Sequence, residues 1–199
     1  MQNTTLKWYK ENADKFLKQS LTVDMTALYQ AFLKYVAPGG KIMDLGCGSG
    51  VASLYFIEHG FDALPADGCK EMCEAATKLT GRQARNILFD ELDYKNEFDG
   101  IWACSSLLHV PKKEMPKILT LIKYALKEGG ILYASYKYGE KERKKNGRSF
   151  SDYTEETLKA LVHEVGGLQI LDLWVTNDAR PQKANEKWVN VICRKTEPN

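Results

Sequence analysis

Ile42-Met43-Asp44-Leu45-Gly46-Cys47-Gly48-Ser49-Gly50 is the stretch on which the fold turns. Lys41 to Leu45 reads as a short buried strand, and Val51 to His59 reads as a helix with Gly60 as its stop. Between them lie three alternating glycines. Glycine there lets the chain turn tightly and lets backbone approach a ligand that side chains would block. The start of the following helix adds unpaired N–H groups. A nucleotide-like cofactor is the reading. The spacing is G-x-G-x-G, with Val51 where a dinucleotide fingerprint G-x-G-x-x-G has room for its third glycine. No Gly-Lys-Ser/Thr follows, which excludes a phosphate-gripping P-loop. Asp67 ends the next strand, 23 residues after Asp44. An acidic group at that place can accept both ribose hydroxyls; its other reading is a turn residue before Gly68.

Outward from this turn, apolar runs alternate with amphipathic stretches, which favours an α/β fold. Helices are expected over Leu6–Gln19 and, after an Asp24 N-cap, over Met25–Tyr35. Strands are expected at Asp62–Ala66, Arg85–Phe89, Phe98–Cys104, Ile131–Tyr138, Leu168–Val175 and Trp188–Arg194. Pro65 suits a strand end or edge. Helices are expected at Lys70–Leu79, Lys113–Leu126 and from Thr154 to Gly166-Gly167. The stretch after Tyr138, containing KERKKNGR, reads as a basic loop.

Composition bounds the function. The 199 residues carry 28 Lys+Arg against 26 Asp+Glu, a net charge of +2, which argues against a dedicated nucleic-acid binder. No apolar run approaches the ~18–20 residues of a membrane span. The first residues lack the apolar core of a signal peptide, so a cytoplasmic place is expected. Cys47, Cys69, Cys73, Cys104 and Cys193 are an odd number and read as reduced thiols. Cys69 and Cys73 have no second Cys or His pair at zinc spacing, so no metal site is expected.

The ordered set Ile42–Gly50, Asp67, Phe98-Asp99-Gly100-Ile101-Trp102 and Leu126-Lys127-Glu128-Gly129-Gly130-Ile131-Leu132 resembles the class I S-adenosylmethionine-dependent methyltransferases. Glu128 stands where that family's turn into its fifth strand has proline. The resemblance covers the chain from about residue 38. It implies a Rossmann-like, seven-stranded, mostly parallel sheet with helices on both faces and an antiparallel last strand. Residues 1–37 would then be a helical lid on a single core, 38–199. Trp8–Ala13, Trp102–Pro111 and Ser151-Asp152-Tyr153 are similar to small bacterial methyltransferases of the tellurite-resistance-like group.

What the resemblance implies for S-adenosylmethionine is residue-specific. Asp44 and the backbone of Gly46, Cys47, Gly48 and Gly50 would meet its amino-acid portion and ribose. Asp67 would hold the ribose hydroxyls, with Gly68 and Cys69 beside it. Met72, Glu91 and Leu92 would border the adenine, although a helix Met is also a core residue. Cys104 and Ser105 would lie beneath the sulfonium, and Tyr9 would close over the methionine end. His109 suits a general base or a structural role. Lys137, Arg148 and Arg180 belong either to a gate for an anionic substrate or to a solvated charge run, which also includes Lys141, Arg143, Lys144 and Lys145. Cys47 and Cys104 lack an activating partner and are not expected to be nucleophiles. Methyl transfer to a small molecule, an anionic or chalcogen acceptor among the options, is the expected function. The alternatives are methylation of a protein or RNA and a non-catalytic S-adenosylmethionine-binding protein. Oligomeric state is left open.

Overall fold

Apolar side chains on alternate sides of the central strands divide the interior into two cores. A computed structural model describes residues 3–20 and 23–196. Three helices come first: α1 (Asn3–Glu11), α2 (Ala13–Ser20) and α3 (Thr26–Leu33). The single helix expected over 6–19 is interrupted at Asn12, whose side-chain amide donates to the Trp8 carbonyl at 2.9 Å. The N-cap of α3 is Met25 rather than the expected Asp24, which stands one residue earlier, its Oδ1 accepting the Thr26 N–H at 2.9 Å. Then follow β1 (Lys41–Leu45), α4 (Val51–Glu58), β2 (Asp62–Asp67), α5 (Lys70–Thr80), β3 (Arg85–Asn86) and β4 (Phe98–Ala103). The second half holds α6 (Met115–Ala125), β5 (Leu126–Lys137), β6 (Glu142–Lys145), β7 (Arg148–Ser151), α7 (Glu155–Val165), β8 (Leu168–Asn177) and β9 (Lys187–Lys195).

Seven strands form one sheet in the order β3-β2-β1-β4-β5-β9-β8. Neighbours from β3 to β5 are parallel, while β9 runs antiparallel to both β5 and β8. Met43, Leu45, Ile101, Ala103, Leu132 and Ala134 face one core, packed by α6 and α7 through Ile118, Ile122, Leu158 and Val162. Ile42, Trp102, Tyr133 and Ile192 face the other, beneath α3 and α4. There Trp102 stacks on Tyr133 with ring centres 3.9 Å apart.

Three expectations need correction. β2 is an interior strand, but its pairing with β3 begins only at Ala66, so at Pro65 its outer side meets no strand and the missing N–H is tolerated. The third strand stops at Asn86, and Phe89–Glu91 is a 3₁₀ turn. The basic loop is a β-hairpin of β6 and β7. Asn146 (φ 50°) and Gly147 (φ 77°) supply the two left-handed positions of its tight turn.

Candidate functional site

The carboxyl ends of β1, β2 and β4 converge on one edge of the sheet, where open α/β sheets place their ligands. The turn after β1 is tied to β2: the Gly46 and Cys47 N–H groups both donate to the Ala66 carbonyl, at 2.7 and 3.0 Å. Two of its glycines are sterically required. A Cβ on Gly46 (φ 81°) would lie 2.3 Å from the Ser106 Cβ, and one on Gly50 (φ 83°) would lie 2.9 Å from Ala76 on α5. Ser106 in turn donates to the Leu45 carbonyl at 2.7 Å.

The two acidic residues are used differently. Asp44 is buried, and its Oδ2 accepts the Ser53 N–H at 3.1 Å and the Ser53 hydroxyl at 2.6 Å. It fixes the first turn of α4. Burial pushes its pKa up to about 7, against the Ser53 bonds. Asp67 reaches the glycine turn: Oδ2 accepts the Gly48 N–H at 3.0 Å and Oδ1 accepts the Cys69 N–H at 2.8 Å. Burial raises its pKa too, opposed by those N–H groups. A carboxylate has about four lone-pair sites, so two remain for a further donor pair.

Helices α1 and α2 lie across this edge. A Cβ on Gly48 would come 3.2 Å from Phe16 Cε1. Phe16 meets Tyr9 edge-on at 5.2 Å between ring centres. The Tyr9 hydroxyl lies 2.9 Å from His109 Nε2, and His109 Nδ1 lies 2.6 Å from the Ser149 carbonyl. A carbonyl only accepts, so Nδ1 carries the proton and Nε2 accepts from Tyr9. Burial lowers the His109 pKa to about 4; the Ser149 carbonyl opposes this and the Arg148 charge adds to it. The imidazole is therefore neutral at pH 7. The Ser149 N–H donates to Thr5 Oγ1 at 3.1 Å, joining the hairpin to α1. At the end of β4, Ser105 holds a left-handed backbone (φ 56°), its N–H donating to Ser135 Oγ at 2.9 Å. Strain of this kind clusters at functional sites.

Other expected site residues are more scattered. Met72 is fully buried on α5. Glu91 turns back on its own 3₁₀ turn, accepting the Leu88 N–H at 3.0 Å, and Leu92 belongs to the apolar core. Burial raises the pKa of Cys47 and Cys104, and pushes that of Cys69 up to about 11, so none is an activated thiolate. All five cysteines are free, and no group of three metal-ligating side chains occurs among the described residues.

The basic candidates are mostly paired. Lys137 Nζ lies 3.0 Å from Asp178 Oδ2, contacts Glu186, and stands 4.0 Å from the Trp188 ring centre. Arg180 grips the same Asp178 through Nε at 2.7 Å and Nη2 at 2.6 Å. Burial disfavours the Asp178 charge, but Arg180, Trp188 and Lys137 outweigh it and hold the pKa well below the usual range. Arg148 lies instead against Trp8, 3.8 Å from its ring centre. Phe16 escaped the sequence reading, and Trp8 entered it only through the Trp8–Ala13 resemblance, not as a site residue. Phe16 was within reach, since it stands two helical turns beyond Tyr9 on the face predicted for a 6–19 helix. Asp178 and Glu186 left no periodic signal, because they sit at the mouth of a loop.

Residues 42–130 match a family model described as a methyltransferase domain. An uncharacterised methyltransferase of Synechocystis sp. is 28% identical over 105 residues, covering 48% of this chain and 46% of that relative. The match thus spans about half the length of that curated relative. Among solved structures, the 1,6-didemethyltoxoflavin-N1-methyltransferase of Burkholderia thailandensis, with bound 1,6-didemethyltoxoflavin and S-adenosylhomocysteine, superposes with a TM-score of 0.82 at 18% identity. The alignment covers 96% of this chain and 87% of that one. A TehB-like S-adenosylmethionine-dependent methyltransferase of Corynebacterium glutamicum superposes with a TM-score of 0.71 at 17% identity, over 94% of this chain and 98% of that one. The fold is that of the class I, Rossmann-like methyltransferases. Within it, the stretch that matches the methyltransferase-domain model runs from β1 to the bend inside β5.

Proposed function

We propose that this chain transfers a methyl group from S-adenosylmethionine to a small molecule, with α1 and α2 acting as a lid on the core formed from residue 38 onward. The observation that carries the reading is Asp67: a half-buried carboxylate at the end of β2, held by the Gly48 and Cys69 N–H groups, with lone pairs left for a ribose diol. The glycine-rich turn at Gly46–Gly50 suits close approach of the cofactor's amino-acid portion. When bound, the cofactor supplies a methyl group already activated on a sulfonium. The chain's own work is then to bind, orient and exclude water. Phe16 and Tyr9 cover the site against solvent. His109 is neutral, and its Nε2 lone pair accepts from the Tyr9 hydroxyl, so a proton lost by the acceptor reaches it by way of that hydroxyl.

A small acceptor is supported by the near-neutral charge, which argues against a dedicated nucleic-acid binder, and by the covered edge. The Burkholderia enzyme, which holds the small molecule 1,6-didemethyltoxoflavin, points the same way. Likeness to the TehB-like structure along most of the chain supports the tellurite-resistance-like subgroup, whose resemblance carries the reaction type and not the substrate. No helix of the described residues is long and apolar enough to cross a membrane.

Calorimetry and thermal unfolding with S-adenosylmethionine, S-adenosylhomocysteine and NAD test the reading. The first two are expected to bind and to stabilise the fold by about 2.7 kcal/mol at a hundredfold excess over Kd. Stabilisation by NAD with no response to the other two overturns it.

A further inference from the structure

Arg148 has no carboxylate partner among the described residues, whereas Lys137, Arg143 and Arg180 each have one. Its Nε is buried with no hydrogen-bond partner. Three aromatic rings surround the guanidinium carbon instead: Trp8 at 3.8 Å, Phe150 at 5.3 Å and Tyr9 at 5.8 Å from their centres. Arg148 as a whole is half-buried; a guanidinium partly shut off from water and left without a counter-charge carries a cost, and ring faces offset only part of it. Its donors form a planar fork matched to a carboxylate or similar oxyanion. The location is specific. Arg148 follows the Asn146-Gly147 turn, stands under α1, and lies near enough to Tyr9 and His109 for its charge to act on both. Neither of those two groups is an anion at pH 7, so neither answers it.

We propose that Arg148 binds the acceptor, and that the acceptor is a planar conjugated anion: a carboxylate or ring oxyanion borne on a flat aromatic or heteroaromatic body. The fork takes the anionic edge, and Trp8, Tyr9 and Phe150 suit the flat body. The inference rests on the proposed methyl transfer and specifies its acceptor. It also divides the basic candidates. Lys137 and Arg180 are already neutralised by Asp178 and Glu186 and stiffen the mouth, while Arg148 alone of these three keeps its charge for an incoming group.

The test uses benzoate as the planar anion, benzamide as its neutral isostere and selenite as a compact oxyanion, titrated into the protein with and without S-adenosylhomocysteine. Benzoate is expected to bind, and benzamide and selenite to bind at least ~10-fold more weakly. Arg148→Gln is expected to weaken benzoate by about tenfold or more. Arg148→Lys keeps the charge without the fork and should fall between the two. Arg82→Gln removes the same charge on the far edge of the sheet, where Arg82 faces Asp62, and should leave benzoate affinity unchanged. Circular dichroism confirms that each variant is folded; should Arg148→Gln not fold, Arg148→Lys carries the comparison. Equal benzoate affinity in the wild type and both Arg148 variants, tighter selenite than benzoate, or no benzoate binding to a protein that binds S-adenosylhomocysteine overturns the proposal. Arg148-dependent benzoate binding in a protein that ignores S-adenosylhomocysteine upholds the anion site and removes the methyltransferase reading instead.

Discussion

Asp44 and Asp67 close adjacent parallel strands, and both carboxyl pKa values are raised by burial. What separates them is the direction of their bonds. Asp44 spends one oxygen on Ser53 of its own following helix, while Asp67 reaches across to the glycine turn. The pH consequence at Asp44 can be worked out. Its native pKa is about 7 against the ordinary 3.8. Between these values the folded chain binds a proton that the unfolded chain lacks, so this group's contribution falls as pH rises from about 4 to 7. His109 opposes it. Its native pKa of about 4 lies below the ordinary 6.5, the unfolded chain holds the extra proton, and its contribution rises with pH over nearly the same window. The two must be separated by variants. Asp44→Asn keeps both Ser53 bonds, because a single Asp44 oxygen accepts them, and removes the titration. Urea unfolding should show this variant gaining a few kcal/mol on the wild type between pH 4 and pH 8. Parallel stability profiles would show that Asp44 does not titrate there.

At the scale of elements, α1 is attached to the hairpin through the Thr5–Ser149 and Tyr9–His109–Ser149 bonds and the stacking of Arg148 on Trp8. Tyr9→Phe removes the donor to a buried imidazole nitrogen, which costs about 1–3 kcal/mol. That cost falls on α1 rather than on the sheet. Hydrogen exchange should therefore quicken in the α1 amides while β1, β4 and β5 keep wild-type protection. Uniform quickening would mean that α1 unfolds only with the whole domain. This is also the scale at which the sequence is least legible. The buried strands and the glycine turn announce themselves by apolar runs and by Gly46, Gly48 and Gly50. The hairpin does not: Glu142-Arg143-Lys144-Lys145 shows charge rather than alternation, and its strands are held by a turn and by Arg143 on Asp152. Asn146-Gly147 was the available signal. The break at Asn12 was likewise hidden, since Trp8 to Phe16 keeps helical spacing on both sides of it. At the candidate site, Asp67 and His109 were legible as residue types after strands, but the pairing of Lys137 and Arg180 with Asp178 depends on how a distant loop returns.

At the scale of the whole molecule, the fold depends on a strand that arrives late in the chain and lands in the interior. β9 lies between β5 and β8, and Asn190 links all three strands. Its Oδ1 accepts the Tyr133 hydroxyl at 2.8 Å, and its Nδ2 donates to Thr176 Oγ1 at 3.1 Å and the Trp174 carbonyl at 3.3 Å. Asn190→Leu fills similar space but strands these partners in a buried site, so denaturant unfolding should report a loss of about 2–4 kcal/mol. A loss below ~0.5 kcal/mol would mean that the interior there relaxes or admits water. The same insertion has a consequence during synthesis. While residues 187–195 are still inside the ribosome, β5 presents a long, buried-type edge with no partner, and β8 has no place to pair. The nascent chain then carries an open, apolar strand edge of the kind that recruits other chains. Completion of this sheet is thus a matter of timing, and the interval before β9 emerges is when a chaperone has most to protect.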